Sequence, residues 1–105
     1  MIQQAFVMKL KPGALAEYTK RHSEIWPELT EEIKKCGISK IASFEDDPYI
    51  FLYSEAEDEG AWDRLWDSEI HDKWGKWFEP LMEFKDDGKV DAKFVTQVFK
   101  FDASE

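Results

Sequence analysis

Tyr18, His22 and Trp26 recur at a spacing of four, within a stretch that reads Tyr-x-x-x-His-x-x-x-Trp-Pro-Glu and ends at Glu28. Residues four apart on a helix share a face, so the Tyr18 phenol and the His22 imidazole can reach one small molecule. An imidazole titrates near neutrality and can both take and return a proton, so the chemistry open to this pair is general acid–base catalysis. Leu15 and Ile25 lie on the same stripe and turn it inward. The spacing describes equally well a histidine packed in a core with its ring hydrogen-bonded, and spacing alone leaves both readings open.

Other chemistries find fewer of the groups they need. A metal centre wants several His, Cys or carboxylate ligands at close spacing, whereas the two histidines, His22 and His71, are far apart and form no His-x-x-x-His pair. Cys36 is the single cysteine and precedes Gly37 at a helix end, which reads as structural and rules out an intrachain disulfide. No Gly-x-Ser-x-Gly elbow, Walker loop or Gly-x-Gly pattern is present. The expected activity therefore uses no cofactor and no metal. Trp74 and Trp77 are candidate walls for a ligand with C–H faces, such as a sugar or an apolar ring, although tryptophans at such spacing also fill cores. Trp26, just before Pro27, reads as packing at a helix break, and His71 as a solvated residue near a helix start.

The elements needed to position these residues follow from periodicity. Residues 5–10 are strand-prone and stop at Pro12-Gly13. Residues 14–36 are helical in pattern, with Pro27 interrupting or restarting the helix and Gly37 ending it. Strands at 38–44 and 49–54 flank the turn-forming Glu45-Asp46-Asp47-Pro48. A second helical region carries Trp62, Leu65 and Trp66, then after Ser68 a stripe of Ile70, Trp74, Trp77 and Phe78. An acidic loop with Asp86-Asp87-Gly88 leads to a last strand at 93–101. The order β-α-β-β-α-β is that of an α+β, ferredoxin-like fold. The strands carry apolar residues on both faces: Tyr49, Phe51 and Tyr53 oppose Ile50 and Leu52, and Val95, Phe99 and Phe101 oppose Phe94 and Val98. A sheet with helices on one side only should alternate apolar with polar. The second face is thus expected to be covered by a partner subunit, as in a dimeric α/β barrel, or to enclose a ligand.

The totals bound the partners. A length of 105 residues predicts one domain, 1–105, and 43% apolar residues supply a core. A net charge of −9 repels nucleic acid and anionic membranes, and suits a small neutral substrate. No apolar run is long enough for a membrane span and no secretory leader is evident, so a cytoplasmic location is expected.

Ala5-Phe6-Val7-Met8, Tyr18, Arg21-His22, Ile25-Trp26-Pro27-Glu28-Leu29, Trp62 and Trp74 together resemble the L-rhamnose mutarotase family over essentially the whole chain, most densely in residues 18–29. The resemblance implies a homodimer of ferredoxin-like subunits that interconverts the α and β anomers of L-rhamnose without a cofactor. It further implies His22 as the proton donor and Tyr18 as a sugar contact. The family pattern has a sugar-contacting tyrosine where this chain has Ile41. It also has two adjacent tryptophans, of which Trp74 matches the first while Gly75 replaces the second and Trp77 follows. Other readings of the same residues are a mutarotase for a related 6-deoxy sugar such as L-fucose, an enzyme of another reaction on the same dimeric sheet, and a non-catalytic sugar-binding module.

Overall fold

The first strand, β1 (Ile2–Lys9), turns Phe6 and Met8 to one face, where both are buried. The computed structural model describes residues 1–85 and 90–103, so the Asp86-Asp87-Gly88 loop lies outside the described residues. After β1 come α1 (Leu15–Ser23) and α2 (Pro27–Lys35), then β2 (Ile38–Asp46) and β3 (Tyr49–Ala56), then α3 (Ala61–Trp66) and α4 (Glu69–Phe78), a 3-10 turn at Glu79–Leu81, and β4 (Lys93–Val95). The strands form one antiparallel sheet in the order β2-β3-β1-β4, the ferredoxin-like arrangement.

Each helical region is broken where its sequence requires. Pro27 has no N–H to donate, so it opens α2 at its first turn, while Trp26 ahead of it stays extended at φ −71° and ψ 133°. Ser68 caps α4, its Oγ accepting from the His71 N–H at 3.2 Å. Gly37 takes φ +95° after α2, a conformation that glycine adopts without cost to a side chain.

The core lies between the helices and one face of the sheet. Register places Phe6 opposite Leu52 on one side and opposite Phe94 on the other. The Phe6 ring meets Trp62 edge-on at 4.9 Å, and such pairs add about 0.5–1.5 kcal/mol beyond the area they bury. Ser54 is the polar member of this core, and its hydrogen bonds are made: Trp62 Nε1 donates to Ser54 Oγ at 2.9 Å, and that hydroxyl donates to the Gln4 carbonyl at 2.9 Å. The other sheet face carries Tyr49, Phe51, Phe44 and Val95, each more than two-fifths exposed in the single chain. No helix among the described residues is long and apolar enough to cross a membrane.

The last strand differs from expectation. It spans Lys93–Val95 rather than 93–101. Val95 pairs with Ala5, so only the four residues before Ala5 remain as partners beyond that point. The Gln97 side chain still bonds Gln3, Nε2 to Oε1 at 2.7 Å, but Phe99 and Phe101 run past the end of β1 and stand exposed.

Candidate active site

Helix α1 delivers Tyr18 and His22 one turn apart, and their rings lie 4.3 Å apart between centroids. His22 Nδ1 is 3.0 Å from the Tyr18 carbonyl oxygen. A carbonyl only accepts, so Nδ1 carries the proton and Nε2 keeps the lone pair. Burial holds the His22 pKa below its ordinary value, against a smaller upward pull from that hydrogen bond, and the resting ring is neutral near pH 7. Tyr18 is itself buried, and loss of water pushes its hydroxyl up to about 12, so it remains a donor.

Helix α4 supplies the facing aromatic wall. Trp74 meets His22 edge-on at 5.4 Å and Phe78 meets it at 4.9 Å. Behind them a cavity of about 700 Å³ lies between helices and sheet, bordered by Tyr18, His22, Trp74, Leu52, Ile41 and His71 among others. That volume falls within the usual range for small-molecule sites.

The residues expected from spacing are thus partly brought together. Tyr18, His22 and Trp74 share the cavity. Trp77, expected as a second wall, is held outside it. Its indole stacks on Trp26 at 5.4 Å, the Arg21 guanidinium lies 4.7 Å from its centroid, and Arg21 Nη1 donates to its carbonyl. Arg21 is in turn tied to Glu17 by Nε at 2.7 Å. This clamp fixes the rotation of α4 and aims Trp74 inward.

His71 corrects the sequence reading. Instead of being solvated it borders the cavity, and burial pushes its pKa down to about 4, with nearby Asp72 opposing weakly. With Ser68 as cap, His71, Trp74, Gly75 and Phe78 follow the i, i+3, i+4, i+7 pattern of one helical face. That spacing is the signal that could have found it. Cys36 is buried at the end of α2, and burial raises its thiol pKa, as suits a packing residue.

A family profile described as L-rhamnose mutarotase matches residues 3–101. The L-rhamnose mutarotase of Oceanobacillus iheyensis is 36% identical over 104 residues, covering 97% of this chain and 100% of its own. That of Clostridium beijerinckii is 40% identical over 101 residues, covering 94% and 97%. The crystal structure of L-rhamnose mutarotase from Formosa agariphila superposes with a TM-score of 0.86 at 27% identity, covering 97% of this chain and 100% of that one. An antibiotic biosynthesis monooxygenase superposes at a TM-score of 0.61 and 15% identity over 93% of this chain and 99% of its own, a likeness of fold alone. Profile, relatives and close structural match agree across nearly the whole sequence, and this chain belongs to the L-rhamnose mutarotase family.

Proposed function

We propose that this chain interconverts the α and β anomers of L-rhamnose, with His22 moving the proton. The observation that carries this reading is the neutral His22 ring, its Nδ1 proton held by the Tyr18 carbonyl and its other nitrogen left as a base among aromatic walls. Ring opening requires the anomeric hydroxyl to lose a proton while the ring oxygen gains one. Both oxygens are bonded to the same carbon, so one imidazole can serve both. Nε2 takes the anomeric proton, the imidazolium returns it to the ring oxygen, and the C1–ring oxygen bond breaks as the carbonyl forms. After rotation about the C1–C2 bond the same steps reverse on the other face. The reaction already proceeds in water, so the roughly 10²–10⁴-fold typical of a positioned acid–base suffices.

Tyr18, protonated and without a hydroxyl partner among the described residues, donates to a sugar hydroxyl. Trp74 presents an apolar face to the C–H groups and C6 methyl of the ring, and Trp77 acts as a positioning residue through Trp26 and Arg21. The substrate is a neutral sugar and the protein a single-domain, cytoplasmic homodimer. The exposed Phe44, Tyr49, Phe51 and Val95 on the uncovered sheet face support pairing with a second copy.

Saturation-difference NMR of L-rhamnose anomer exchange tests the reaction. His22→Ala should lower the enzyme-dependent exchange by about 10²-fold or more with the fold intact. A folded variant exchanging at the parent rate would make His22 a packing residue and sink the mechanism.

A further inference from the structure

The cavity continues beyond Trp74. A side chamber of about 330 Å³ adjoins it and shares Trp66, His71, Gly75, Phe84 and Val90 with its wall. Single-ring sugars are smaller than the ligands that usually occupy cavities of about 300–1,000 Å³, so the His22 cavity already has room for one before the side chamber is reached.

Gly75 stands in the shared wall, and nothing local requires a glycine there. Its φ is not positive, and a Cβ built on it meets no heavy atom within 4 Å. Glycine in a helix interior weakens the helix relative to alanine. What the residue does at this place is leave the space between the chambers unfilled. Beyond the gap, Trp66, Phe84 and Val90 offer apolar surface while His71, Asp72 and Glu79 offer polar groups. The two carboxylates Asp72 and Glu79 are matched by Lys76 and Lys85, with Lys76 Nζ 3.0 Å from Asp72 Oδ2, so the wall favours a neutral occupant. A pyranose ring, with C–H faces and a hydroxyl rim, has that chemistry.

We propose that the side chamber is a second sugar subsite, so that the protein also equilibrates reducing disaccharides whose reducing-end ring sits at His22 and whose second ring passes the gap at Gly75. This rests on the mutarotation proposed above. The test measures anomer exchange by NMR for L-rhamnose and for three disaccharides carrying a neutral hexose on O2, O3 or O4 of a reducing L-rhamnose. At least one isomer should be exchanged with kcat/KM within about tenfold of L-rhamnose, and Gly75→Trp should lower the ratio of that value to the L-rhamnose value by about tenfold or more. Should Gly75→Trp misfold by circular dichroism, Gly75→Leu applies the same steric test, and the wild-type comparison stands without either. Exchange of L-rhamnose with none of the three isomers accelerated, or an equal loss on both substrates in the variant, overturns this inference alone. Failure to accelerate L-rhamnose itself overturns the proposed reaction and this inference with it.

Discussion

Two imidazoles face one cavity, and burial assigns both the neutral form near pH 7 while giving them different consequences. For His22 the consequence is kinetic. Its pKa lies below the ordinary 6.5, so the base form predominates above that pH. Enzyme-dependent kcat/KM should be level around neutrality and fall as pH drops through a value below 6.5, once the uncatalysed rate is subtracted. A rate that rises between pH 7 and 5 would mean the resting ring is protonated and would reverse the order of proton steps. For His71 the consequence is stability. The unfolded chain takes up a proton near 6.5 and the folded chain only near 4, so acid favours the unfolded state. The cost should reach about 2 kcal/mol by pH 5 and vanish above 7. Urea titrations of wild type and His71→Asn at pH 7 and 5 would check this. The variant should lose less stability on acidification, and equal losses would show that His71 is exposed in solution.

At the scale of elements, the helix breaks at Trp26-Pro27 and at Ser68 place the site, because each fixes where the following helix begins. Ser68→Ala removes the acceptor for the His71 N–H and should cost about 1 kcal/mol, read as a lower urea midpoint. An unchanged midpoint would mean that water replaces the cap without loss. The strand and helix order was legible because proline, glycine and apolar periodicity punctuate it clearly. The Tyr18–His22 pair was legible because a spacing of four on a helix fixes a shared face regardless of what surrounds it. The phase of α4 was not. Trp74 and Trp77 are three apart and lie on neighbouring faces; Trp74 turns in against His22 and Phe78, while Trp77 is held outside under the Arg21 guanidinium. The length of β4 was also hidden, since apolar alternation persists through Phe101 while pairing with β1 stops at Val95, opposite Ala5, although β1 itself continues to Ile2.

For the whole molecule, the proposed homodimer rests on the uncovered sheet face. Phe44 and Phe51 are cross-strand partners on that face, and Val7 lies opposite Phe51 on the next strand. Burying such a patch against its own copy returns about 25 cal/mol per Å² of apolar area. Sedimentation at micromolar concentration should give a homodimer for the wild type and a monomer for Phe51→Asp with unchanged far-ultraviolet circular dichroism. A wild type sedimenting as a clean monomer would defeat the proposal and leave the aromatic face to some other partner.

The central position of β1 has a consequence for how the molecule is made. It is the first strand to leave the ribosome, yet one of its edges waits for Lys93–Val95, which is synthesised most of the chain later. Until then the Phe6 ring lacks its Phe94 neighbour, and a row of backbone donors and acceptors on the strand stays open to any other extended segment. One edge of β1 therefore stays open to stray strand pairing until the last strand appears. Two glutamines, Gln3 and Gln4, half-buried in the finished fold, precede the apolar Ala5-Phe6-Val7 run of β1, and in the nascent chain their amides interrupt what would otherwise be a longer greasy edge.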